Sequence, residues 1–310
     1  MTYVPDSFDT LPRMPSWVTS GRAETPEDVA FLSGAALNHL HLVLSREDVP
    51  HTLLRARLAL RAAEVCVAHS GRPERAAALR DAVAFLQPGD SPGPAGEVYQ
   101  SWRRAIERPV SVDALHRALP DLEPEQIATW LDGCDPRGAA HAMGATHAMG
   151  AGQGAPISWA AGVLQAIIAD RPRDLTAALI LADAALAQSL GWSHVVPLLA
   201  LKMKRPDLGK TGEDLRLACY RAVLAAAAEA TREAADLARR MAKVRALAPK
   251  LRAKGADGAV ALFLNRDAVA PNALTSLRSD RAARRFCDRL VELGAVRELT
   301  GRDTFRLYGL

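Results

Sequence analysis

Five arginines fall within twelve residues near the end of the chain: Arg278, Arg281, Arg284, Arg285 and Arg289. A guanidinium is a permanently charged planar fork, suited to gripping phosphate oxygens or a guanine edge through paired hydrogen bonds. Arg281, Arg285 and Arg289 repeat about once per helical turn, with Arg284 beside them, so a helix would array them on one face. Ala282, Phe286, Leu290 and Leu293 recur with a similar period and would give that helix an apolar face to bury. Ser279 can cap its start, and Gly294 stands where a left-handed residue would end it. A helix over 280–293 is therefore expected. In a competing reading, Asp280, Asp288 and Glu292 pair with the arginines and leave only a salt-bridged surface.

The elements that would position this helix lie on either side of it. Residues 296–300 and 304–308 are β-prone runs flanking Gly301-Arg302-Asp303, the pattern of a hairpin over 296–309. Residues 256–264 read as a first helix, and Pro271-Asn272-Ala273-Leu274 starts a short second one. The stretch 255–310 thus has the outline of a winged-helix module, which sets its recognition helix in the major groove of DNA. Arg302, at the hairpin tip, would reach a neighbouring phosphate or the minor groove. Lys250, Arg252 and Lys254 continue the basic run of a long helix whose second half is basic, and with it would form a phosphate-contacting shelf beside the module.

Other chemistries find little support in the residues. HExxH, Walker A, GxSxG and GxGxxG do not occur in a suitable context, so no catalytic residue and no cofactor are expected. His39 and His41 point to different faces of one helix and make a poor metal pair. The Gly- and Pro-rich stretch 88–96 follows no strand and lacks a Gly-Lys-Ser/Thr sequence, so it reads as a structured turn. Residues 141–152 repeat His-Ala-Met-Gly almost verbatim; with Cys134 they supply ligand types that suit copper. Nothing rigid orders them, and a flexible linker is the preferred reading, with no metal expected. Cys66, Cys134, Cys219 and Cys287 form no CxxC pair, as in a reduced, cytoplasmic protein.

Alanine, leucine and arginine dominate the rest of the 310 residues, and aromatics make up only 5%, which favours helices packed closely on small side chains. The expected fold is mainly α: a multi-helix body carrying the small terminal module. An extended N-terminal arm (1–26), with Trp17 pinning it, precedes a helical subdomain (27–135) and the linker (136–156). A central helical subdomain (157–254) then ends in the basic helix, and the module (255–310) follows. Within the body, helices are expected at 27–44, 51–69, 74–86, 98–107, 156–168, 175–190 and 194–201. A longer one is expected from Thr211 towards Leu247. No run suits a membrane span, and no signal peptide is visible at the first residues. Residues 1–200 carry 16 Lys and Arg against 22 Asp and Glu, whereas 201–310 carry 23 against 13. The last third, at net +10, can face a polyanion while the first two-thirds, at net −6, stays clear of it.

The chain resembles the bacterial domain of unknown function family 1403. The resemblance runs through LPRMPSWV (11–18), FLSGAAL (31–37), LRARLALRAAEVCVAHSGR (54–72), ALRDAVAFLQPGDSPGPAG (78–96), LGWSHVVPLLA (190–200) and LAPKLRAKGADGAVALFL (247–264). The repeat at 141–152 departs from it, in keeping with a tolerated insertion. The ending LVELGAVRELTGRDTFRLYGL (290–310) is similar to terminal winged-helix segments of other bacterial proteins of unknown function. The resemblance implies architecture and brings no activity.

These observations together predict a DNA-binding protein, a transcriptional or plasmid-associated regulator whose partner is double-stranded DNA. The alternative is an assembly module whose winged helix binds protein, with the oppositely charged parts of the chain supporting homo-oligomerisation. An enzyme is the third and least supported class.

Overall fold

The computed structural model describes residues 11–20, 24–87, 89–133, 155–248, 251, 253–302 and 304–310, and the account below concerns these. Thirteen helices are present among them. They are α1 (Ser16–Ser20), α2 (Pro26–Leu44), α3 (His51–His69), α4 (Ala76–Ala84), α5 (Gly93–Glu107), α6 (Val112–Ala118) and α7 (Pro124–Gly133). Further along the chain come α8 (Pro156–Asp170), α9 (Leu175–Ser189), α10 (Leu199–Lys202), α11 (Gly212–Leu247), α12 (Ala256–Asn265) and α13 (Asp280–Glu292). The His-Ala-Met-Gly repeat, Cys134, Lys250 and Arg252 lie outside the described residues.

Local signals account for many helix starts. Thr25 Oγ1 accepts the Asp28 N–H at 3.1 Å while Asp28 Oδ2 accepts the Thr25 N–H at 3.0 Å, a reciprocal capping box with Pro26 in the first turn. Ser111, Asp174 and Ser279 cap α6, α9 and α13 in the same manner with one side-chain acceptor each. The expected all-round apolar helix is α9, where every residue from 177 to 187 is buried. It packs on α8, and α11 lies along both α2 and α8. Ala222, Ala226, Ala230 and Ala234 are buried along α11, and such small side chains permit close approach. On the other side of the body α3 packs against α5, and the Trp102 indole of α5 donates to Cys66 Sγ of α3 at 3.4 Å.

The terminal segment ends in a two-stranded antiparallel sheet, β1 (Arg297–Glu298) with β2 (Tyr308–Gly309), in the register Arg297 to Gly309 and Glu298 to Tyr308. Tyr308 also exchanges both main-chain hydrogen bonds with Val269, so its strand lies between Val269 and Glu298. Gly255 opens this segment at φ 90°; a Cβ there would collide with the Ser276 carbonyl oxygen, so only glycine fits.

Several expectations need correction. The N-terminal arm is not extended throughout, because residues 16–20 are helical. Leu11 and Val18 anchor it by burial, while Trp17 stays half exposed and stacks on Phe31. The turn at 88–96 is shorter than expected, since α5 begins at Gly93 with Pro94 in its first turn. The helix expected over 194–201 is reduced to α10, because the N–H groups of Leu198, Leu199 and Ala200 turn to the Asp183 carboxylate instead. The expected second helix of the terminal module is a 3-10 turn, Pro271–Ala273. The hairpin is shorter than its two β-prone runs, because Glu298 folds back to accept the N–H groups of Thr300 and Gly301.

The terminal segment is seated on the body. Arg57 of α3 reaches Asp267 Oδ1 at 2.5 Å, the Leu310 main-chain oxygen at 3.1 Å and Glu233 of α11 at 3.5 Å. Arg80 of α4 donates to the Leu299 carbonyl at 3.1 Å, and Arg302 pairs with Asp81 at 3.0 Å. Phe305 meets Phe85 edge to face at 5.9 Å.

Candidate nucleic-acid interface

The fold divides α13 into two faces. Ala283, Phe286, Cys287 and Leu290 are buried, one position displaced in part from the stripe expected from the sequence. Arg281, Arg284, Arg285 and Arg289 are exposed on the opposite side, and Arg278 is exposed just ahead of the helix. Of the nearby acids, Glu292 pairs with Arg289 at 2.9 Å, and both side chains are so exposed that the pair adds little stability. Asp288 accepts a hydrogen bond from the Tyr308 hydroxyl at 3.4 Å. Arg278, Arg281, Arg284 and Arg285 form no ion pair or hydrogen bond through their side chains with any described residue.

The other predicted positions separate. Lys254 is exposed ahead of α12, with its expected neighbours Lys250 and Arg252 outside the described residues. Arg302 pairs with Asp81 of α4 at 3.0 Å while its side chain stays exposed. The basic stretch of α11 does reach the terminal segment. Arg239, Arg240 and Lys243 line a groove of about 680 Å³ with Gly294 and Arg297, beside the C-terminal end of α13. Arg239 and Arg240 share Asp236, each at 2.6 Å, so Lys243 brings that groove its least neutralised charge from α11.

Burial pushes the thiols of Cys66, Cys219 and Cys287 up to about 12, far from the reactive thiolate. Among the described residues no group of three His, Cys, Asp or Glu side chains is placed to hold a metal ion. The sequence pattern gave no sign of one histidine cluster. His41, His51 and His194 line a second cleft of about 430 Å³ around Trp192, whose indole donates to His41 Nδ1 at 2.9 Å. Ser193 Oγ lies 2.9 Å from His194 Nδ1, and burial, Arg55 and His51 hold His194 below the usual imidazole range. Among the described residues no carboxylate lines this cleft.

Five further arginines, none marked out by its place in the sequence, converge elsewhere. Arg55, Arg80, Arg103, Arg104 and Arg266 line a cleft of about 710 Å³ between α3, α4, α5 and the terminal segment. They are separated by up to 211 positions and share no periodicity, so only the packing brings them together.

Fold and side chains together define a mainly helical protein with a tiny C-terminal sheet and an arginine-faced terminal helix. None of its described helices is long and apolar enough to cross a membrane. The chain belongs to the family of proteins of unknown function designated DUF1403, which it matches over residues 4–310. A comparison with curated proteins found no match.

Proposed function

We propose that the protein binds double-stranded DNA through α13, as a regulator of transcription or of a plasmid-associated process. The observation that carries this reading is the set of four exposed arginines, Arg278, Arg281, Arg284 and Arg285, that no described carboxylate engages. Like-charged guanidinium groups on one short face repel each other, and a phosphate backbone relieves that repulsion. The order of elements supports a winged-helix module over 255–310. A helix, the bridge at Val269, a turn, the amphipathic α13 and two strands follow one another, with the Tyr308 strand in the middle. In this reading α13 enters the major groove and Lys243 and Lys254 face flanking phosphates.

A second reading has one observation in its favour. The hairpin rests on α4 through Arg302 and Phe305, as suits a module that assembles protein surfaces. A salt series on the full-length protein with mixed duplex DNA separates the two. DNA binding predicts affinity that falls steeply with salt. In an Arg281→Ala/Arg285→Ala variant the slope should fall by about one for each phosphate no longer neutralised. Absence of wild-type binding at low salt would leave the assembly reading in possession.

A further inference from the structure

We infer that the cleft between α3, α4, α5 and the terminal segment is a binding site for a small phosphorylated molecule, an organic body bearing a di- or triphosphate. The charge of the lining is the first argument. Arg55 comes from α3, Arg80 from α4, Arg103 and Arg104 from α5, and Arg266 from the segment after α12. Two acids share the wall, Glu107 and Asp267, and Asp267 is already held by Arg57 from behind. None of the five arginines makes an ion pair with a described residue, although Arg57, Arg61, Arg72, Arg239, Arg240 and Arg302 all do so elsewhere. Five cations against two acids, one of them already paired with Arg57, leave the concavity an excess of positive charge whose Coulomb cost a bound polyanion lowers.

Their hydrogen bonds leave room for such a ligand. Arg55 gives only Nε to the Ile106 carbonyl, at 3.3 Å, and Arg104 gives one nitrogen to Gln100 at 3.2 Å. Arg103 rests its guanidinium over the Tyr99 ring at 5.8 Å, a contact that fixes the fork and leaves its N–H groups open. Arg80 donates one terminal nitrogen to the Leu299 carbonyl at 3.1 Å and makes no ion pair with a described residue.

Volume decides the size of the ligand. About 710 Å³ lies within the range of small-molecule pockets, roughly 300–1,000 Å³, and is more than inorganic phosphate needs. The remaining wall, with Val83, Ala268 and Leu307 beside Asn265 and Asn272, offers apolar surface and neutral hydrogen-bonding groups to an organic body. A duplex is too wide for this concavity. The site is therefore distinct from the face of α13 and stands or falls separately from the DNA reading.

The test is calorimetric titration of the full-length protein with pyrophosphate and with ATP, each against sodium sulfate at matched ionic strength. Saturable binding of either probe, absent with sulfate, is expected. Arg103→Gln/Arg266→Gln takes one fork from each wall and should weaken it about tenfold per arginine. Both side chains are exposed, so the fold should survive; Arg103→Glu alone is the second variant and should weaken binding by at least as much as removal of one fork. Arg281→Gln/Arg285→Gln should leave the titration unchanged. ATP binding well above pyrophosphate binding assigns the apolar wall to the organic body, and equal binding assigns the affinity to the phosphates; both support the site. The inference is overturned if neither probe saturates, if sulfate does as well, or if the α13 variant loses the binding that the cleft variants keep.

Discussion

Arg57 and Arg285 are the same side chain in opposite situations. Arg57 is largely covered and touches oxygens of Asp267, Glu233 and Leu310, three contributions from separate parts of the chain. Arg285 is exposed and touches none among the described residues. Where this protein uses a guanidinium to hold its own elements together, it supplies the acceptors. Arg278, Arg281, Arg284 and Arg285 have no acceptor among the described residues, whereas in the cleft Arg55, Arg80 and Arg104 each have one neutral acceptor and no carboxylate. The two sets also differ in shape: in the readings proposed above, an exposed helix face suits an extended polyanion and a concavity suits a small one.

The sharpest contrast comes from groups whose partners are all internal. Asp183, fully buried, holds the N–H groups of Leu198, Leu199 and Ala200 at 3.1, 2.8 and 3.3 Å. Asp183→Ala orphans all three and should cost about 4 kcal/mol in urea unfolding. Arg57→Ala leaves Asp267 buried without its cation and should cost about 3 kcal/mol by the same measurement. Arg281→Ala/Arg285→Ala should change stability by no more than about 0.5 kcal/mol yet weaken duplex binding by about 1 kcal/mol or more per arginine removed. A loss of stability as large as that of Arg57→Ala would place those arginines in the structural set and break the comparison. Arg289→Ala, which removes only the exposed pair with Glu292, should shift stability by less than about 0.5 kcal/mol.

Asp183 also gives the comparison a pH axis. Burial pushes its carboxyl from 3.8 up to about 7, although the three N–H donors pull the other way. The folded chain therefore holds this proton more tightly than the unfolded one. Its contribution to stability is fully present below the unfolded value and declines as pH rises towards 7. Unfolding midpoints between pH 4 and pH 7 should show this decline in the wild type and flatten in Asp183→Asn.

What the sequence made legible was local. Thr25 with Asp28, and Ser279 ahead of α13, marked helix starts because a cap lies within three residues of its partners. The apolar all-round pattern of α9 announced a central helix, and the arginine spacing of α13 announced its exposed face. Long-range partners were not legible. Residues 194–198 looked helical until Asp183, fifteen positions before Leu198, claimed the backbone donors. Arg302 looked like a free hairpin tip because nothing near it in sequence predicts Asp81. The cleft arginines are scattered in and beside ordinary helical text, and only the docking of the terminal segment brings them around one cleft.

The grip of Arg57 also has a consequence in time. Its acceptors lie 176, 210 and 253 residues further along the chain. At about 5–20 residues per second, the ribosome delivers Asp267 roughly 10–40 s after Arg57. Through that interval α3 carries a cation without its final counter-charge, and the body must fold around it with water in place of the missing oxygens. The segment from Gly255 onward thus arrives well after the body it docks on, and its docking closes contacts of large sequence separation, the kind whose loop-closure cost slows folding.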